Sequence, residues 1–276
     1  MQYGSGQRAG YHRPMDPVDL AHDDAGDGPV VVLIHGHPFN RAMWAPQLAA
    51  LRDRFRVIAP DLRGYGDSPV TPGTVTMAQL AADVGHLLDR KGIATAALAG
   101  LSMGGLVVME LAAAQLGAAQ PERWWAYGFI ATTAQRVTAE EAQARLDSAQ
   151  TMEKQGMRPV AEQMAARLFG PGATQQLKTT IMEMMLATSP AGAAAAVRGR
   201  AERPDYQPVL KSISAPALVC AGDHDAYSTA EITGELAGCL PGPEVVILEG
   251  AGHLPNLERP DAFNEHLLGF LTRALP

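Results

Sequence analysis

The amino-acid sequence predicts an α/β fold: a mostly parallel, twisted sheet with helices on both faces and one helical block inserted late in the chain. Three observations carry this. Short, largely apolar runs recur and mostly stop at Gly or at a polar turn, the pattern of strands buried on both faces. Helical stretches separate them, which implies βαβ units with right-handed crossovers. The alternation lapses once, from about residue 136 to residue 203, where Ala, Gln, Met and Glu dominate and no strand-like run appears.

The strand candidates are residues 30–34, 56–59, 96–99, 126–131, 217–221 and 245–248. The helical candidates are 43–51, 76–91, 103–117, 229–240 and 261–271. The interrupted stretch fits three or four helices, punctuated at Gly170-Pro171 and Ser189-Pro190. At 276 residues the chain can bury one large core with a modest insertion. The expected division is a polar, flexible N-terminus at 1–14, a core from 15–135 and 204–276, and a helical cap at 136–203. A block inserted between two sheet strands is a natural lid, and the six methionines in it (Met152, Met157, Met164, Met182, Met184, Met185) offer an adaptable apolar wall. Met182 and Met185 are the candidates for tuning substrate choice.

Composition excludes several classes of partner. The net charge is −7 and no basic run occurs, so neither nucleic acid nor an anionic membrane surface is expected. No window approaches ~20 apolar residues, and the polar N-terminus lacks the apolar stretch of a secretory signal, so a cytoplasmic location is expected. Cys220 lies in an apolar run and reads as a buried thiol; with Cys239 as its one companion, no disulfide framework is expected. No pair of histidines shows metal-ligand spacing with a carboxylate, so no metal and no cofactor are expected.

The chemistry centres on Gly100-Leu101-Ser102-Met103-Gly104-Gly105. A G-x-S-x-G between a strand and a helix is a turn so tight that small residues must flank the Ser, which then projects above the sheet. Three further segments follow strand ends: His35-Gly36-His37-Pro38, Asp223-His224-Asp225 and Gly250-Ala251-Gly252-His253. Together they supply a nucleophile, a carboxylate and an imidazole. Asp223 and Asp225 compete for the carboxylate role.

From about Val18 to its end the chain resembles the α/β-hydrolase fold family. The resemblance rests on VVVLIHGHPFNRAMW, RVIAPDLRGYGDS, LAGLSMGG, PALVCAGDHDAYS and EGAGHLPNLERPDAFN, in that order. It is nearest to small bacterial esterases, enol-lactonases and cofactor-free perhydrolases. It implies Ser102 as nucleophile, His253 as base and, by the family's G-x-x-D pattern, Asp225 as orienting acid. The oxyanion hole falls to the backbone N–H groups of His37 and Met103. Related dehalogenases and epoxide hydrolases carry a carboxylate where Ser102 stands. Some relatives place the acid after the strand at 126–131, where this chain has Thr132 and Thr133.

The remaining residues read as structural. His35 props the oxyanion loop, and a backbone-only role is favoured for His37. His86 and His266 fall in helices, His224 in a loop, and His12 and His22 near the N-terminus. In DLRGYGDS, Arg63 and Asp67 are expected to hold each other or the backbone. The expected activity is hydrolysis of a small-to-medium carboxylic ester through an acyl-enzyme. A lactonase or enol-lactonase, a peroxide-using perhydrolase and a non-catalytic ligand-binding protein remain as alternatives.

Overall fold

The computed structural model describes residues 15–118 and 123–276. The expected flexible N-terminus, and His12 with it, lies outside the described residues. The strands are β1 (His22–Ala25), β2 (Val30–Ile34), β3 (Arg56–Pro60), β4 (Ala96–Leu101), β5 (Trp124–Ile130), β6 (Ala217–Gly222) and β7 (Glu244–Leu248). They form a seven-stranded sheet in the order β1-β3-β2-β4-β5-β6-β7 among the described residues. All neighbours are parallel except β1, which pairs antiparallel with β3.

The expected strands are all present, and β1 is an addition. His22-Asp23-Asp24-Ala25 has no apolar run because an edge strand needs none. Its acidic side chains instead discourage pairing with another chain, and Asp24 is held by Arg56 at 2.7 Å and Lys91 at 2.8 Å.

The helices are α1 (Ala45–Leu51), α2 (Met77–Arg90), α3 (Met103–Gly117), α4 (Ala139–Gln155), α5 (Arg158–Leu168), α6 (Gln175–Ala187), α7 (Pro190–Ala201), α8 (Gln207–Lys211), α9 (Ala230–Gly238), α10 (Pro255–Glu258) and α11 (Pro260–Arg273). Side chains of a strand alternate between faces, and the core divides accordingly. Val32, Ile34 and Ile58 pack with Leu80, Val84 and Val107 of α2 and α3. Val31, Leu33 and Val57 pack with Leu51, Phe263 and Leu267 of α1 and α11. Cys220 belongs to the second cluster, and burial pushes its thiol up to about 12.

The interrupted stretch forms α4 to α7. α4 and α7 pack against each other around Met152, Val160, Ala194 and Val197. The block is tied to the core at several loops. The Thr188 hydroxyl donates to the Pro38 carbonyl at 2.7 Å, Val75 N–H donates to Ala195 O at 3.0 Å, and His253 N–H donates to Leu168 O at 2.8 Å. Gly64, at φ +87°, and Gly192 meet backbone to backbone, leaving no room for a Cβ on either.

The DLRGYGDS loop meets one expectation in part, since Arg63 holds backbone but not its loop neighbour. Arg63 does not pair with Asp67. Its side chain runs inward to Asp83 of α2, at 2.6 and 2.8 Å, and also donates to Asp16 O at 2.8 Å. Asp67 points to solvent and accepts from Arg41 at 2.7 Å. The Arg63–Asp83 pair is fully buried, so removing one partner strands the other charge. Asp83→Asn is therefore expected to lower the unfolding free energy by about 3–5 kcal/mol. Urea denaturation at neutral pH checks this; a loss within ordinary surface scatter contradicts it.

Candidate active site

β4 is buried along its whole length and ends at a tight turn. Ser102 takes φ 53° and ψ −111°, a region that L-residues rarely occupy, and α3 starts at the next residue. The flanking glycines are dictated by close approach. A Cβ at Gly100 would collide with the backbone of Gly104, and one at Gly104 with the Ile34 carbonyl of β2. Ser102 N–H donates to Ile130 O at 2.8 Å, and the Thr132 hydroxyl donates to Ser102 O at 2.7 Å. Thr132 thus clamps the turn, a role that the sequence did not suggest.

β6 and β7 bring the other two groups. His253 Nδ1 lies 3.0 and 2.9 Å from the two carboxylate oxygens of Asp225. Asp225 also accepts N–H from Tyr227 at 2.8 Å and Ser228 at 2.9 Å. Burial by itself would raise the Asp225 pKa. The adjacent His253 ring and the two N–H donors outweigh it, and the carboxyl titrates below its ordinary value. The competitor Asp223 faces partly outward, 3.9 Å from the exposed His224.

The loop carrying His253 has a support that sequence reading passed over. The buried Glu258 carboxylate accepts N–H from Gly252 at 3.0 Å, Leu254 at 3.2 Å and Gly170 at 2.7 Å. It therefore fixes the backbone on both sides of His253 and fastens the α5–α6 connection to it. Its position five residues after His253, at the end of α10 and just ahead of Arg259-Pro260, is the signal that was available.

The β2 exit loop is fixed by His35. Its Nε2 accepts Leu62 N–H at 2.9 Å, and its Nδ1 lies 2.9 Å from Gly36 O, so it ties the β2 and β3 exits together. The His37 side chain also enters the site. Its ring lines the central cavity, with Nδ1 2.8 Å from the Tyr65 hydroxyl. Burial, with repulsion from Arg200 and His35, drives its pKa well below the usual imidazole value, so the ring is neutral. Met103 occupies the first turn of α3, where N–H groups have no intrahelical acceptor. Neither the His37 nor the Met103 N–H donates to a backbone carbonyl among the described residues.

Ser102, His253 and His37 line one cavity of about 490 Å³, together with side chains of α4, α5 and α7. No hydrogen bond joins the Ser102 hydroxyl to His253 among the described residues; the two side chains share the cavity wall. Of the six methionines, Met164 faces this cavity. Met152 and Met157 fill the α4–α7 core, Met185 is fully buried in the main core, and Met182 lines a separate groove. The expectation for Met182 and Met185 is thus corrected in favour of Met164. The cavity also presents Arg136, Arg145, Arg167, Arg200 and Arg203, with Glu141 as the one acid among them. His86 and His266 lie on α2 and α11, outside this wall. Among the described residues no three His, Cys, Asp or Glu side chains converge as metal ligands would. No helix among them is long and apolar enough to cross a membrane.

The alpha/beta hydrolase family profile matches residues 31–266, and the chain belongs to that family. It is 33% identical over 250 residues to 3-oxoadipate enol-lactonase 2 of Acinetobacter baylyi, covering 90% of each chain. A thermophilic esterase from Thermogutta terrifontis, solved with malate bound, superposes with a TM-score of 0.88 at 36% identity, covering 92% of this chain and 93% of that one. The enol-lactonase from Burkholderia xenovorans LB400 superposes with a TM-score of 0.83 at 33% identity, covering 92% and 96%. The relatives are hydrolases.

The depressed Asp225 pKa has a consequence for acid stability. Its stabilising contribution is complete above the unfolded value of about 3.9 and is lost as pH falls through the lower folded value. The stability gap between the natural protein and Asp225→Asn should therefore be widest above about pH 5 and close below about pH 4. Denaturant melts across that range measure it; a gap independent of pH contradicts the assignment.

Proposed function

We propose that this protein is a serine hydrolase that cleaves a small-to-medium carboxylic ester, open or cyclic, through an acyl-enzyme. The observation that carries the reading is the strained Ser102 sharing a cavity wall with an imidazole whose far nitrogen is held by a buried carboxylate. His253 Nδ1 on Asp225 leaves Nε2 to accept the Ser102 proton as the hydroxyl attacks the carbonyl carbon. Asp225 fixes that tautomer and stabilises the imidazolium. The free N–H groups of His37 and Met103 receive the oxyanion, at the positive end of α3. The alcohol or enol then leaves with the proton from His253, and water, activated by the same imidazole, releases the acid.

In this reading α4 to α7, within residues 136–203, act as a cap. They shape the pocket and limit the access of bulk water to it. The names of the relatives, enol-lactonase and esterase, support both the open and the cyclic ester. Comparative turnover of a lactone and its open ester separates the two.

Ser102→Ala tests the core of the proposal. It should lower kcat by at least ~10⁴-fold and abolish labelling by a fluorophosphonate probe, with the thermal melt retained. A folded variant that keeps a sizeable share of its turnover refutes the nucleophile.

A further inference from the structure

The cavity above Ser102 has the opposite charge to the protein that encloses it. The chain carries a net charge of −7, yet five arginines and a single glutamate face this space. Low-dielectric walls concentrate such a field on whatever enters.

Two of the arginines have visible structural work. Arg167 donates to Ala226 O at 2.9 Å and lies over the Tyr227 ring, 4.9 Å from its centre. Arg203 donates to Gln135 O at 3.1 and 3.3 Å. Arg200, on α7, is different. Its Nε is buried without an acceptor, and no carboxylate pairs with it among the described residues. Burial, with repulsion from Arg145 and Arg203, pulls its pKa down to about 9, which still leaves it charged at neutral pH. Arg200 lines the same cavity wall as His37 and Tyr227 and bears on the charge of both. The one acid in the wall is already engaged, because the Glu141 carboxylate accepts Thr138 N–H at 2.9 Å at the start of α4.

A guanidinium whose Nε is buried without a partner is costly, and a pocket for a neutral substrate would not require it. A guanidinium fork matches the two oxygens of a carboxylate in one plane. The N-terminus of α4, which a phosphate would use, is closed by Glu141 itself. We propose that the substrate carries a free carboxylate, separate from the ester carbonyl that Ser102 attacks, and that Arg200 and Arg145 bind it. The proposal rests on the serine-hydrolase reading for the identity of the reacting bond. It adds that the acyl or alcohol portion is anionic.

The test compares two chromogenic esters that differ in one charge, 4-nitrophenyl hydrogen succinate and its methyl diester. The natural protein should favour the free acid by at least ~10-fold in kcat/KM, mainly through KM. Arg200→Met and Arg145→Met should each cut that preference by a similar factor, and Arg200→Lys should restore part of it. Calorimetry with glutarate, glutaramide and inorganic phosphate reads the anion site without turnover. Glutarate should bind most tightly, and less so to Arg200→Met. Equal use of both esters, with turnover that still needs Ser102, overturns the anion site and leaves the hydrolase reading standing. Arg200-dependent glutarate binding, with ester turnover that survives Ser102→Ala, does the reverse. Glutarate binding no tighter than glutaramide, or phosphate binding more tightly than glutarate, overturns the carboxylate assignment.

Discussion

A serine held at φ 53° and ψ −111° costs on the order of 1–3 kcal/mol, and the middle of this fold is arranged to keep it there. β4 runs between β2 and β5, so its end cannot drift. Gly104 lies against the β2 carbonyl of Ile34, and Gly105 against Thr132 at the β5 exit. Ala131, also at positive φ and in the cavity wall, belongs to the same strained junction. Six side-by-side parallel strands all point their carboxyl ends toward one rim, and that rim is where the cavity opens.

The other site elements are attached to that rim by buried polar groups rather than by apolar packing alone. His35 joins the β2 and β3 exits, Asp225 joins the β6 exit to the β7 exit through His253, and Glu258 joins the β7 exit to the helical block. Each of these is a charged or ring acceptor of backbone N–H, which fixes direction as well as distance. The helical block is consequently not a separate unit. Ile181 and Met185 of α6 share the core of α1 and α11, while α4 and α7 face each other across their own small cluster.

Much of this was legible in the residues. The central strands announce themselves because strands covered on both faces are apolar throughout, and the glycines around Ser102 because backbone contact forbids a side chain. Asp225 and His253 follow strand ends, where a parallel sheet delivers its loops. What escaped depends on contacts between distant segments. β1 is an edge strand and carries no apolar signature. The partner of Arg63 sits on α2 rather than within its own loop, since the inward path of the side chain is set by tertiary packing. Nothing in the order of residues 136–203 marks its arginines as a group, and only the packing of α4 on α7 turns Arg145 and Arg200 toward one cavity. The same ambiguity misdirected the choice among the methionines, because helical periodicity does not say which face meets the core.

Charge and chemistry then meet in one cavity: a neutral His37 ring, an Arg200 guanidinium with an unpartnered Nε and the Ser102 hydroxyl share its wall. The account stands or falls on a covalent bond at Ser102. Rapid acid quenching of the protein during turnover of a chromogenic ester, followed by intact-mass and peptide analysis, looks for that bond. The account predicts a mass increase equal to the acyl group, located on the peptide that contains Ser102 and formed with the burst of released alcohol. Continued turnover with unmodified protein at every quench time, or an adduct on another residue, would contradict it.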